Sequence, residues 1–470
     1  MLPAVGLAAA EAPDAAGLAE APEAAGFAAA EAEAAGLAEA ALAAGAALEG
    51  LAATEAGVEG AAAELAGADV PPPQAASATD RPSSNDPSSF VLIGCKGTAC
   101  LLRRGKTRPA SRYDGQMSGV YRHQQPPAIF WGAGSLARLS EELDAVGVKR
   151  PYLVSTRSVE GNEGLMSHLR KALGRELVGI AEPVSQHAPQ ADVDAALEAA
   201  RQAQPDGIVS FGGGSPIDAA KIVAADLGHL PHVAVPTTLS VAELGPSAGV
   251  TDERGRKGGR LGTDLLPQAV IYDAELSLRT PLDLWLATGI RAVDHGVESL
   301  LEPGDHPYAD TLALEGLRRL FVSLPAAKAR PGDLEARTQN ELGAWFAYSL
   351  PRAAVGLSHM LGKLIGSPFG IPHGVTSCLL LPHVMRYRAA TQADRLALMA
   401  PALGVNRPGA SEAELARAAA DAVEGLIARL GLPHHLAAYG LSEEQLRGAA
   451  EGLSKQYPVE DLLAILHAAA

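Results

Sequence analysis

Residues 207–218 read Gly-Ile-Val-Ser-Phe-Gly-Gly-Gly-Ser-Pro-Ile-Asp, and this stretch restricts the fold more than any other part of the chain. A β-branched run ends in three glycines, which let the backbone turn tightly and come close to a ligand. Ser215, Pro216 and Asp218 then read as N-cap, N1 and N3 of a helix. Free amides and the positive dipole end at such a helix start favour a bound diphosphate. A plain glycine-rich turn before a well-capped helix would use the same residues, so the segment does not decide alone. It carries neither the GxGxxG fingerprint nor the GK[ST] of a P-loop.

The surrounding periodicity sets this turn in an α/β frame. Strands are expected at Tyr152–Val154, Leu177–Ile180, Gly207–Phe211, His232–Val235 and Ala269–Tyr272, alternating with amphipathic helical stretches. That alternation implies a mostly parallel sheet with helices on both faces. After Asp273 only helical spacing remains, as in Leu312, Leu314, Leu317, Leu320 and Phe321. An α/β domain over 117–273 and an all-helical domain over 274–470 follow, with the cleft between them as the expected site. Val235-Pro236-Thr237-Thr238 again follows a strand, and its two hydroxyls can reach phosphate or ribose. Lys257 lies in the basic stretch Arg254–Gly259, read as a flexible loop. It either pairs with a phosphate or is solvated.

Composition matters chiefly for what lies ahead of this frame. Residues 1–70 hold 32 alanines and 12 Asp or Glu but no Lys or Arg, so the formal net charge of −16 falls to −4 once they are set aside. A near-neutral body is not built as a nucleic-acid-binding surface. No charge-free apolar run is long enough for a membrane span. Three cysteines without a CxxC pair offer neither a disulfide framework nor a zinc knuckle, which points to a reducing, cytoplasmic setting. The alanine-rich leader, the linker at 71–90 and the basic run around Arg103–Arg112 are expected to form a disordered extension over 1–116. The functional chain is expected to start near Met117.

Four motifs in order resemble the iron-containing alcohol dehydrogenase superfamily, within it the maleylacetate reductase branch. They are GGGSPID at 212–218, PTT at 236–238, TGIRAVDHGVE at 288–298 and SHMLGKLIGSPFGIPHG at 358–374. The resemblance runs from about Phe130 to the C-terminus. It implies the dehydroquinate synthase-like fold of a dinucleotide-binding α/β domain followed by a helical domain, a homo-oligomer such as a dimer, and hydride transfer between NAD(P)H and a carbonyl or alcohol. On it, Gly213, Gly214, Ser215 and Asp218 would bind the dinucleotide, helped by Thr237, Thr238 and Lys257. Thr156 stands where the family usually has an NAD-selecting Asp, and Arg157 beside it could take a 2′-phosphate, so NADPH, or both NADH and NADPH, is expected.

The same resemblance places His295, His359 and His373 on the three histidine positions of metal-dependent members, with Arg291 in the place of the ligand Asp and Lys363 in that of a further histidine. Three histidines can hold zinc or iron with an open position. A guanidinium cannot coordinate and repels a divalent cation, so the metal-free reading is preferred to Fe or Zn. Arg291 and Lys363 would instead hold a carboxylate-bearing small-molecule substrate and stabilise its oxyanion, with Lys363 or one of His295, His359 and His373 supplying the proton. The competing readings are a metal-dependent alcohol or polyol dehydrogenase, a sugar-phosphate cyclase-like lyase and a non-catalytic cofactor-binding protein. Asp294 and Glu298 flank His295 on the same helix and are read as structural partners, and His123, His187 and His232 receive no chemistry.

Overall fold

A computed structural model describes residues 125–253, 255, 257–304, 306–348 and 356–470. The expected extension over 1–116, Met117, Arg254 and Arg256 lie outside the described residues. The described residues contain eight strands: β1 (Ala128–Trp131), β2 (Pro151–Ser155), β3 (Gly179–Ile180), β4 (Gly207–Gly212), β5 (His232–Pro236), β6 (Ser247–Thr251), β7 (Lys257–Leu261) and β8 (Ala269–Tyr272). Six form one parallel sheet in the order β1-β8-β5-β4-β2-β3, and β6 pairs antiparallel with β7. Strands β2, β4, β5 and β8 are buried at every residue, as expected of a parallel sheet covered on both sides.

Side-chain alternation divides those strands between two apolar layers. Leu153, Val209 and Val235 pack under α1 (Leu139–Ala145) and α2 (Glu163–Leu173), joined by Leu143, Leu169 and Leu173. Tyr152, Val154 and Ile208 face α3 (Gln190–Ala203) and α4 (Gly214–Asp226), joined by Val193, Ala220 and Val223. The chain leaves β2 for the β3 edge but leaves β4 for β5, in the opposite direction. The carboxyl ends of β2 and β4 therefore frame a topological switch point, where open α/β sheets bind ligands.

The remainder is helical. It contains α5 (Leu282–Leu301), α6 (Pro307–Ala329), α7 (Leu334–Ala347), α8 (Leu357–Gly366), α9 (His373–Arg388), α10 (Glu412–Leu430) and α11 (Val459–Ala469), besides shorter turns. α5 is buried on nearly every face because α6, α7, α8 and α9 pack around it, and Trp285, Ile290, Val293 and Val297 anchor that core with Leu317, Leu381 and Val423. A polar tie joins three of these helices: Trp285 Nε1 donates to Asn340 Oδ1 at 2.8 Å and Asn340 Nδ2 to Ser323 Oγ at 2.6 Å.

Three details differ from expectation. β1 was not anticipated, because four residues (AIFW) at a sheet edge are too short to show a period. The β6–β7 hairpin was not anticipated either, and Lys257 starts its second strand instead of lying in a flexible loop. The helix after β4 begins at Gly214 with Gly213 as N-cap, which moves Ser215 and Pro216 inside its first turn. Proline fits there because the amides of a first turn have no partner within the helix.

Candidate active site

The site is assembled from the carboxyl end of the sheet outward. Gly212 takes φ 147 and an added Cβ would meet the Pro216 ring at 2.8 Å, so the turn requires glycine. Gly213 and Gly214 lie under Thr238 and Ser240, with an added Cβ at 3.2 Å from Thr238 Cγ2 and 3.1 Å from Ser240 Oγ. Thr238 Oγ1 and Ser240 Oγ are buried without hydrogen-bond partners. Orphaned hydroxyls beside a bare helix start form a cradle that an anion completes. Thr237 is tied back, its N–H donating to Gly212 O at 2.8 Å and its carbonyl accepting from Thr280 Oγ1 at 2.7 Å. Thr156 follows β2 at the same edge and shares a 3.1 Å contact with Ser158 Oγ, while Arg157 is exposed beside it.

From that cradle a cleft of about 810 Å³ runs toward the helical part and is lined by Thr156, Gly213, Thr238, Lys257, Arg291 and Lys363, among others. Asp218 lies one turn into α4, and its Oδ2 and Lys257 Nζ both lie beside Gly249, each 3.3 Å from where a Cβ would stand there. Burial raises the Asp218 pKa against the lowering effect of Lys221 and Lys257. Lys221 is fully enclosed behind the cradle and donates to the carbonyls of Ala242, Gly245 and Ser247 at 2.5, 2.6 and 2.8 Å, which fixes the loop lining the cleft. Desolvation lowers its pKa to about 8.

The far end is built by α5, α8 and α9. Gly374 crosses α5 so closely that a Cβ would lie 2.8 Å from the Ala287 carbonyl carbon, and this contact sets His373 over Arg291, whose Nη1 donates to His373 O at 3.4 Å. Lys363 projects from α8 into the cleft, where desolvation and then the Arg291 charge lower its pKa. The histidines fall into two pairs. His359 Nε2 lies 3.2 Å from His295 Nε2, whereas the His373 ring meets the His187 ring edge-on, with centroids 4.7 Å apart.

Behind the first pair, His359 Nδ1 lies 2.6 Å from Glu298 Oε2, without hydrogen-bonding geometry, and 3.4 Å from Asp294 Oδ2. Ser358 and Ser377 each donate to that Asp294 oxygen at 2.7 Å, and the Gly356 and His359 amides donate to Glu298. Burial pushes Asp294 up to about 6 and Glu298 to about 7, and it pushes His359 down to about 3.

Two imidazole nitrogens at that spacing match the edge of a tetrahedral ion. The rest of the donor set does not. Among the described residues the one His, Cys, Asp or Glu trio within mutual ligand reach is Asp294, Glu298 and His359, which does not include His373. The two carboxylates of that trio already accept hydroxyl and amide hydrogens. On the cleft side the added charges are Arg291 and Lys363, and both lower the His295 pKa after desolvation and His359. These residues do not fit a divalent metal.

His187 is one of three site residues missed in the sequence. Like Thr156 and Gly213, it belongs to a loop at the carboxyl edge of the sheet, and that position was the available signal. Tyr348, whose ring meets that of His295 edge-on with centroids 4.9 Å apart, and Ser240 were also missed.

Residues 126–274 match the iron-containing alcohol dehydrogenase family, and residues 285–461 match the C-terminal part of the Fe-containing alcohol dehydrogenase family. The chain belongs to the iron-containing alcohol dehydrogenase family. Within it the chain lies in the maleylacetate reductase-like branch. It is 35% identical over 309 residues to a maleylacetate reductase of Sphingobium indicum, covering 66% of this chain and 86% of that one. It is 33% identical over 334 residues to that of Delftia acidovorans, covering 71% and 90%. Among solved structures, maleylacetate reductase from Agrobacterium tumefaciens superimposes with a TM-score of 0.67 at 31% identity over 75% of this chain and 98% of the other. A 1,3-propanediol oxidoreductase gives 0.71 at 26% identity over 75% and 100%. This member is an NAD(P)-dependent oxidoreductase acting on alcohol or carbonyl groups, and no described helix is long and apolar enough to cross a membrane.

Proposed function

We propose that this enzyme reduces a carboxylate-bearing keto substrate, with maleylacetate as the leading case, and that it does so without a metal. The observation that carries the reading is Arg291 at the floor of the cleft beside Lys363, where metal-dependent relatives would place an anionic ligand. The names of the relatives point the same way, since maleylacetate is a keto diacid whose carbonyl is conjugated to a double bond. Gly213, Gly214, Thr237, Thr238 and Ser240 hold the diphosphate of NADH or NADPH, and Thr156 with Arg157 meets the adenosine ribose and accepts a 2′-phosphate. The nicotinamide supplies the hydride.

Hydride addition at a carbonyl, or at a double bond conjugated with it, leaves negative charge on the carbonyl oxygen, and a fixed guanidinium stabilises that charge in either case. Arg291 and Lys363 also bind the carboxylate, Arg291 in bidentate fashion. Lys363 supplies the proton, because its lowered pKa makes the ammonium a better acid. His359, against Glu298 and Asp294, and His295 beside it form the wall behind them.

The test combines NADPH oxidation with metal analysis. Reduction of maleylacetate should persist after chelation, and Arg291→Ala should raise KM for it by about 10–100-fold while leaving KM for a neutral aldehyde little changed, with kcat falling on both because the oxyanion loses its guanidinium. Activity that disappears with a chelator and returns with Fe or Zn overturns the metal-free reading, and equal changes in KM for both substrates overturn the carboxylate role.

A further inference from the structure

The segment Ser185–Pro189 crosses the lip of the cleft, and two consecutive non-glycine residues in it, His187 (φ 68) and Ala188 (φ 47), occupy the left-handed region. Such geometry is unfavourable for residues with a Cβ and persists only where the surroundings impose it. Here they do. The His187 N–H donates to Ser215 Oγ at 3.0 Å, and its carbonyl accepts from Thr251 Oγ1 at 2.9 Å and Lys257 Nζ at 3.3 Å. The Thr251 N–H donates to the Ala188 carbonyl at 3.1 Å. The phosphate helix and the β6–β7 hairpin thus clamp a backbone shape that glycine would take without strain. The residue present is a histidine whose ring lines the cleft, edge-on to His373 and beside the Lys257 ammonium.

The clamp would hold any residue, so the imidazole needs its own reason. The proposed substrate carries two carboxylates, and Arg291 with Lys363 accounts for one. We propose that His187 is a substrate-contacting specificity residue, whose imidazole N–H and the neighbouring Lys257 ammonium together bind the second carboxylate of a keto diacid. This inference rests on the functional reading above. An imidazole donor beside an ammonium gives a carboxylate one hydrogen bond from each and favours the diacid over an analogue lacking that group.

The experiment compares maleylacetate with 4-oxopent-2-enoate, which lacks the second carboxylate, in wild type, His187→Asn and His187→Gly, with NADPH affinity read by fluorescence titration. Asparagine tolerates the left-handed conformation and glycine adopts it freely, so both variants fold. KM for maleylacetate should rise at least 10-fold in both, with that for 4-oxopent-2-enoate and the NADPH Kd unchanged, and the glycine variant should melt at or above the wild-type temperature. An unchanged KM for maleylacetate, an equal rise for both acids, or weakened NADPH binding overturns the role. Wild type that reduces neither acid defeats the functional reading instead, which keeps the two failures separate.

Discussion

Glu243 shows how much one buried side chain sets the conditions in which this fold is stable. It is wholly enclosed, accepts the Tyr272 hydroxyl at 2.6 Å through Oε1, and leaves Oε2 without a partner. Burial pushes its pKa from 4.5 up to about 7, against the lowering effects of the Tyr272 hydrogen bond and Lys221. Below pH 4.5 the carboxyl is protonated in the folded and the unfolded chain alike, and its contribution is fully present. As pH rises toward 7 the unfolded chain releases the proton while the folded one retains it, so the contribution is lost across that window. Glu243→Gln keeps an acceptor for Tyr272 and cannot ionise. Relative to wild type, the variant should therefore gain about 2–3 kcal/mol between pH 4.5 and 7.5, read from urea midpoints at the two pH values. A difference that stays constant with pH would show that Glu243 ionises normally in the folded chain.

At the scale of elements, the site depends on glycines that let two pairs of elements approach. Gly213 brings the start of α4 against Thr238, and an alanine there would push a methyl to 3.2 Å from Thr238 Cγ2. Gly213→Ala should weaken NADPH binding by about 10-fold with a change in stability below about 1 kcal/mol, because the methyl enters the anion cradle and not the core. Titration of the cofactor alongside thermal melting separates the two effects, and strong binding by the variant would place the phosphates elsewhere. The cradle was legible in the sequence because strand, glycines, proline and hydroxyls follow each other locally. The β6–β7 hairpin was not, since Gly249, Gly258 and Gly259 carry no period and its pairing became visible only in space. The pairing of His373 with His187 was likewise hidden. Nearly 190 residues separate them, and spacing along the chain relates His373 only to His359. Ser215 and Asp218, read as N-cap and N3, instead lie within the helix that starts at Gly214, and their side chains turn toward His187 and Lys257.

For the whole molecule, the acidic character of the sequence and the chemistry of the site separate cleanly. Twelve of the 16 net negative charges are accounted for by residues 1–70, while the cleft collects Lys257, Arg291 and Lys363 around Asp218. The two family matches span 126–274 and 285–461, so every residue assigned above to the cradle, the cleft floor and the histidine pairs falls inside them. The four largest apolar clusters also draw on residues from Ala128 onward. A chain starting at Met117 keeps all of these, and it loses a leader whose charge opposes that of an anionic substrate. Charge repulsion is screened beyond about 8 Å at physiological salt, so any effect of these acidic residues on encounter is confined to low ionic strength. Residues 117–470 should therefore fold with an unchanged Tm and show the kcat/KM of the full chain at 0.15 M salt, with any gain appearing only at low salt. Aggregation of the shortened chain, or a loss of activity at physiological salt, would assign residues 1–116 a part in the folded enzyme.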